Sequence, residues 1–423
     1  MALNDRCSRG GRLTGLALAL IAMVIVMGSW PKTALGEPFC FLTQVTSSTN
    51  VPGSEGSRKP SINATGTRIA FESGADLTGG NSERRPEIFL FDATSRTFTQ
   101  LTESPPGSAA RQGSFDPVIN ATGTRIVFRS NSDLTGGNPG NTGHIFLFDT
   151  TTGTTTQVVA AGIFTIDATG NRIAFVSNED LTGDNADRSQ EIFLLDGIAG
   201  TLTQITDSPN DAASGVFHPS MNATGTRIAF DSGVDLTGDN PDRSREIFLY
   251  DTTTGITTQI TSSTNSFLSS YGPSINATGT RIAFVSNADL TGGNSDHNSE
   301  ILLFDTTTSA FIQITNSVGS TLSVSPSINA TGTRIAFDSA ADLTGGNSDH
   351  NSEIFLFDTT TSALIQITNS VGSPLGRDRR SPSINATGTR IAFEFRADLT
   401  GGNPDGNEEI FLAGCVQSVT STP

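Results

Sequence analysis

NATGTRIAF, residues 63–71, returns almost letter for letter along this 423-residue chain, and the spacing of its copies decides the fold. Copies begin at Asn63, Asn120, Asp167, Asn222, Asn276, Asn329 and Asn385, seven in all, 47 to 57 residues apart. Each leads through the same succession of segments. In the sixth, PSIN (326–329) reads as a first strand a, ATGT (330–333) as a tight turn and RIAFDS (334–339) as strand b. The loop ADLTGGNSDHNS (341–352), strand c EIFLFD (353–358), the turn TTTS (359–362) and strand d IQIT (365–368) complete the unit.

Four short strands in about 50 residues describe a propeller blade rather than a helical solenoid. Within strand c, Ile354 and Leu356 alternate with Phe355 and Phe357, so both faces of the sheet are apolar, as a blade packed between two neighbours requires. The expected fold is therefore all-β: a seven-bladed β-propeller of four-stranded antiparallel blades. The ends of the repeat region agree with a closed ring. LTQVT (42–46) is a fourth strand that precedes any first strand, and the seventh copy stops after its third, EIFL (409–412). Joined, the two fragments complete one blade and remove an open sheet edge.

Aligned with the sixth copy, Cys415 falls where Thr359 sits and Cys40 where Ser362 sits, the two ends of the c-to-d turn. Turn ends lie within ~7 Å, the separation a disulfide needs. A Cys40–Cys415 disulfide in place of the missing covalent turn is the expectation. The third cysteine, Cys7, lies in an N-terminal segment of different character: Arg6, Arg9 and Arg12 precede an apolar run from Leu13 to Met27 and the small residues Ala34-Leu35-Gly36. Residues 1–36 read as a secretory signal peptide, leaving residues 37–423 as one exported propeller domain without a membrane span. Its compartment would be periplasmic or extracellular, and a monomer is expected.

Loss of residues 1–36 takes four basic residues and one acid from a chain of net charge −17, leaving −20. Nucleic acid is excluded as a partner on that balance. The single Trp, Trp30, leaves with the signal, and the exported chain keeps only Tyr250 and Tyr271 beside core phenylalanines. Flat aromatic surfaces for carbohydrate are correspondingly few.

PSINATGTRIAF followed by EIFLFDTTT and QIT resembles the WD40-like repeat of TolB-type propellers, an exported bacterial family, over residues 41 to 415. TolB-type proteins carry six blades and an additional α/β domain and bind proteins in the periplasm as part of the Tol-Pal envelope system. The seven repeats here, with no room for such a domain, depart from that pattern, so the resemblance implies the fold and protein binding rather than that complex.

Other features have structural readings. Asn-Ala-Thr recurs in six copies as a glycosylation-like pattern, but DATGN at 167–171 occupies the same place in the other copy, so a tight turn is the reading. The repeated arginines, Arg68 to Arg390, should face the Asp that ends strand c, as Arg68 to Asp92, Arg125 to Asp149 and Arg334 to Asp358; Arg390 faces Gly414 and has none. Asp342, Asn347, Asp349 and Glu353 share one b-to-c loop, an oxygen-rich set that calcium would suit, although the spacing is not that of an EF-hand. His144, His218, His297 and His350 lie in four different copies without metal-ligand spacing. No nucleophile elbow or phosphate-cradling loop is present, no catalytic residue is assigned and no cofactor is expected, calcium being the one cation the loops suggest.

Specificity must then come from what differs between blades, and the d-to-a connections differ most. Arg111, Phe115, Phe217, His218, Tyr271, Arg377, Arg379 and Arg380 lie in or beside them and are the candidate partner-binding residues. The third copy, with VVAAGIF (158–164) running straight into its own first strand, should leave a notch in the rim. The expected function is a non-catalytic scaffold that binds a protein or cell-envelope component on this face. The alternative is a propeller enzyme, a lyase or hydrolase acting on an extracellular polymer.

Overall fold

The computed structural model describes residues 39–48, 56–105, 112–209, 215–263, 265–319, 322–371 and 380–416. Residues 1–36, read above as a signal peptide, and Arg111, Arg377 and Arg379 lie outside the described residues. Within them the chain forms seven four-stranded antiparallel sheets and no helix, hence no helix long and apolar enough to cross a membrane.

Blade 1 is strands Ser57–Ile62, Arg68–Ser73, Glu87–Asp92 and Thr97–Gln100, ordered a-b-c-d as in the sequence. Blades 2 to 6 repeat that order. Strands b and c coincide with the sequence reading. Strand a is longer, starting three residues upstream of PSIN in blades 1, 2, 4, 5 and 6, because a register shift against strand b breaks the alternation just before its proline. Strand d ends earlier than read: in blade 6 it spans Ala363–Gln366, and Thr368 instead bonds the Glu353 carboxylate.

Why the ring closes is visible in its hydrogen bonds. Each a-to-b turn is built by an Asx side chain: Asn63 Oδ1 accepts the peptide N–H groups of Thr67 and Arg68, both at 2.9 Å, and Asp167 serves Asn171 and Arg172 in the same way. All seven of these Asx residues are buried, so the Asn-Ala-Thr pattern serves the turn. Successive turns then bond one another through alanine, from Ala64 N–H to Ala121 O at 3.1 Å round to Ala386 N–H to Ala64 O at 3.1 Å. The first residue of strand b adds a second inter-blade tie. Arg68 Nη1 donates to Gly123 O, Arg227 to Gly279 O and Arg390 to Gly66 O, at 2.9, 3.0 and 2.9 Å. Gly66 has φ +72°, and a Cβ there would lie 2.6 Å from the Arg390 stem, so only glycine admits both the turn and the tie.

The expected ion pairs form in six blades, from Arg172–Asp196 at 2.9 Å to Arg68–Asp92 at 3.6 Å. Arg390 faces Gly414. The reason lies in closure: strand Phe39–Gln44 pairs with Glu409–Val416 as the fourth strand of blade 7, and the Phe41 ring lies so close to Gly414 that any side chain there would collide with it. Cys40 is in register with Cys415, and the two are bonded, Cα–Cα 4.1 Å. Between strands b and c, a fully buried phenylalanine pair stacks in six blades, Phe71–Phe89 at 5.9 Å being one; blade 5 pairs Phe284 with Leu302. The apolar core thus runs from blade to blade as a chain of similar clusters.

Candidate functional site at the channel mouth

First strands of successive blades face each other around the central channel, and the bulge in strand a decides what they present to it. The residue before the proline takes φ near +50°: Lys59 53°, Asp116 53°, His218 46° and Ser325 55°, with Gly272 at 62° in blade 5. A non-glycine residue there stores backbone strain of order 1 kcal/mol or more. The bulge turns each of these side chains toward the channel mouth, where Lys59, Asp116, His218, Gly272 and Ser325 line two cavities.

The peptide N–H freed by the bulge needs an acceptor, and in several blades a strand-b carboxylate of the preceding blade supplies it. Asp116 N–H bonds Glu72 Oε2 at 2.8 Å, Gly272 N–H bonds Asp231 Oδ1 at 3.0 Å and Lys59 N–H bonds Glu394 Oε2 at 2.5 Å. Burial pushes the Glu72 carboxyl up to about 7 and Asp338 up to about 6, and raises Glu394 as well.

Blade 4 carries the most developed cluster. Asp231, without solvent exposure, receives Arg245 Nε at 2.5 Å and His218 Nδ1 at 3.0 Å besides the Gly272 N–H. The Arg245 guanidinium lies close to two rings, its carbon 4.9 Å from the Phe217 centroid and 5.4 Å from that of Tyr271. Its Nη2 is 3.0 Å from His218 Nδ1. Nδ1 can donate to Asp231 or accept from Arg245, not both. Either way Nδ1 is spoken for, and the imidazole, 43% exposed, lines both cavities.

One cavity, of about 350 Å³, is bounded by His218, Arg245, Tyr271 and the apolar residues Ile163, Val285 and Val324. The other, of about 470 Å³, is bounded by Lys59, Asp116, Arg129 and Val118 and shares Ile163 and His218 with the first. Arg129 pairs with Asp116 at 3.4 Å and lies 5.6 Å over the Phe115 ring. The shared wall sits at the notch expected in blade 3: its strand a is only Phe164–Ile166 and starts four residues after strand d ends at Ala160. Ile163, in that short connection, is 40% exposed.

Of the candidate residues, Phe217, His218 and Tyr271 converge on one guanidinium, while Phe115 contacts Arg129, which lines the second cavity. Arg380 does not belong with them. It is buried, its guanidinium carbon lies 3.6 Å over the Phe395 ring and its peptide N–H bonds Asp338 Oδ2 at 3.1 Å. A neighbour that places a carboxylate in the interior has drawn this arginine inward. Asp231, Arg245, Lys59 and Arg129 escaped the sequence reading because they lie within or beside strands rather than in the variable connections, and Ile163 and Asp116, which belong to those connections, were not singled out.

The three carboxylates of the loop set suggested for calcium have other employment, while the fourth member, Asn347, keeps its Oδ1 buried without a hydrogen-bond partner. Asp342 accepts the Asn347 N–H, Asp349 accepts the Asn351 amide at 3.2 Å, and Glu353 holds Thr368 and Ser370 at the start of the d-to-a connection. Among the described residues no three His, Cys, Asp or Glu side chains gather as a metal site. Only His218 of the four histidines lines the channel-mouth cavities.

No family model and no curated protein matches this chain. Solved structures do. An oligogalacturonate lyase in complex with manganese is similar over 92% of this chain and 100% of its own, at TM-score 0.57 and 14% identity. The β-propeller domain of the Trilobed protease from Pyrococcus furiosus is similar over 89% and 100%, at 0.55 and 10%. TolB from Acinetobacter baumannii is similar over 79% and 77%, at 0.43 and 16%. At such identities the likeness to the first two is one of fold.

Proposed function

We propose that this chain is an exported, non-catalytic propeller that binds a protein or cell-envelope component through the face bearing its d-to-a connections, with the channel mouth at the centre of the contact. The observation that carries the reading is the convergence of Phe217, His218 and Tyr271 on Arg245, in blades whose remaining strand residues are nearly the same. Variable residues on a rigid scaffold are where recognition is built. Export is supported by the Cys40–Cys415 disulfide, which suits an oxidising compartment. The test is affinity capture from envelope extract with the native chain and a chimera in which every d-to-a connection carries the blade-6 sequence. A partner held by the first and lost by the second supports the reading; identical captures refute it.

A second reading is favoured by one feature: His218 paired through Nδ1 with the fully buried Asp231, beside a fixed cation, is an arrangement that can move a proton. An enzyme acting on an acidic polymer would use it so, and oligogalacturonate, named for a propeller similar in fold, is the substrate to try. Cleavage by the native chain, lost in His218→Gln, would favour this reading over the scaffold.

A further inference from the structure

We infer that the two joined cavities form a single recognition site for an extended acidic peptide segment of the partner, which sets one carboxylate against Arg245 and His218 and a second against Lys59 and Arg129. The inference rests on the loop-face binding reading and gives it a ligand class.

The donor and acceptor inventory carries it. Around the first cavity the one carboxylate, Asp231, is buried and already engaged by Arg245 Nε and the Gly272 N–H, and with His218 Nδ1 accepting from Arg245 Nη2 the imidazole has its Nε2–H to give. Ser220 and Ser274, which also line it, accept the peptide N–H groups of Ile275 and Ile328 at 3.1 and 3.2 Å, so their hydroxyl protons remain to be given. Arg245 contributes N–H groups beyond the Nε that Asp231 takes. The second cavity adds two cations, Lys59 and Arg129, against one exposed carboxylate, Asp116. A ligand complementary to such walls must be rich in acceptors and carry negative charge. Arg245 is also held in place beforehand, by its bond to Asp231 and its contacts with the Phe217 and Tyr271 rings, so little entropy is lost when it binds a planar carboxylate.

Peptide fits better than sugar. Between the charged groups the walls are aliphatic, Val118, Ile163, Val285 and Val324, and suit branched side chains. Tyr271, on which a uronate ring would stack, already carries the Arg245 guanidinium over its ring, and Phe217 lines neither cavity. The low rim at blade 3, with Ile163 exposed on the shared wall, gives an extended chain a way across both cavities.

The experiment is a selection from a random peptide display library on the oxidised full chain, repeated on Lys59→Gln/Arg129→Gln, on Arg245→Lys and on the loop chimera. The paired Lys59 and Arg129 change touches exposed side chains, and Arg245→Lys keeps a cation on Asp231, so thermal melts should match the native chain. The expected result is enrichment of Asp or Glu at two positions flanking aliphatic residues, with affinity falling about tenfold or more in each variant. Enriched peptides without acidic residues, or acidic ones that bind the variants equally well, overturn the inference while leaving loop-face binding standing. Peptides that bind the chimera as tightly as the native chain overturn both. Oligogalacturonate bound at this site in place of any peptide would assign it to sugar and overturn the inference as well.

Discussion

Replacing Cys40 and Cys415 by serine removes the one covalent link across a sequence separation of 375 residues. In the chain-entropy model a closed loop of that length restricts the unfolded state by about 6 kcal/mol, and observed disulfides commonly deliver about 2–4 kcal/mol. The closing strand adds a second effect. Phe39 and Phe41 on it are 63% and 57% exposed, and beyond its ladder it is held inward chiefly by Leu42 and by the bonds of Thr46 and Ser48 to Glu409. Without the disulfide it should open locally before the ring unfolds. Urea melts of the native and doubly substituted chains, both without reductant, should therefore differ by about 1 M or more in midpoint, taking a urea slope of about 3 kcal/mol/M for a chain of this size. Amide exchange at Leu42 and Gln44 should rise well before exchange in strand b of the same blade. Coincident midpoints with unchanged exchange would refute the reasoning, because the ladder alone would then suffice to close the ring.

Glu72, with its carboxyl at about 7 against an ordinary 4.5, is protonated more readily in the folded chain than in the unfolded one. That preference stabilises the fold below pH 4.5 and is lost as pH rises through 7, a difference of up to about 3 kcal/mol. Chemical denaturation should accordingly find Glu72→Gln more stable than the native chain at pH 8 and about equal to it at pH 5. Arg227→Met loses both the bond to Gly279 O and the Asp251 pair, and should cost about 1–2 kcal/mol in the same assay. Arg390→Met loses only the equivalent carbonyl bond, so its cost should be smaller by the small worth of a half-exposed pair. The b-to-c loops, with their acids already bonded, should show the same thermal midpoint in EDTA and in millimolar calcium.

Blade count, closure, the disulfide and the arginine pairs were legible in the sequence because each follows from comparing copies at one alignment position. The site was not, for two physical reasons. It is assembled across blade seams: His218 and Asp231 belong to one blade and Tyr271 and Gly272 to the next, a neighbourhood that no spacing within a copy reveals. Its residues also occupy strand positions taken for architecture. The second-last residue of strand b is Glu72, Arg129, Val176, Asp231, Val285, Asp338 or Glu394 across the seven copies, beside residues that scarcely change. The residue preceding strand c varies likewise, as Pro86, Gly143, Gln190, Arg245, Ser299, Ser352 and Glu408. Variation inside otherwise fixed strands was the available signal. The upstream half of strand a stayed hidden because a proline and a bulge interrupt its alternation, the same features that aim Lys59 and His218 at the channel.

Those substitutions between blades also show how to separate architecture from function at the mouth. Blades 3 and 5 carry Val176 and Val285 where blade 4 has Asp231, and blades 5 and 6 carry Ser299 and Ser352 where it has Arg245, yet all of them close into the same sheet and seam. A carboxylate is thus not needed to join neighbouring blades. A buried ion pair broken on one side costs about 3–5 kcal/mol, whereas replacing both partners by groups that pack is often neutral. Arg245→Ser alone, which strands a fully buried Asp231, should therefore be severely destabilising, while Asp231→Asn/Arg245→Ser, which keeps an oxygen for the Gly272 N–H, should melt close to the native chain. The double variant should nonetheless have lost binding at the loop face, since the guanidinium and the carboxylate that positions it are both gone. If instead the two changes add without coupling, the pair is part of the frame that holds blades 4 and 5 together, and its presence at the channel mouth no longer argues for a ligand.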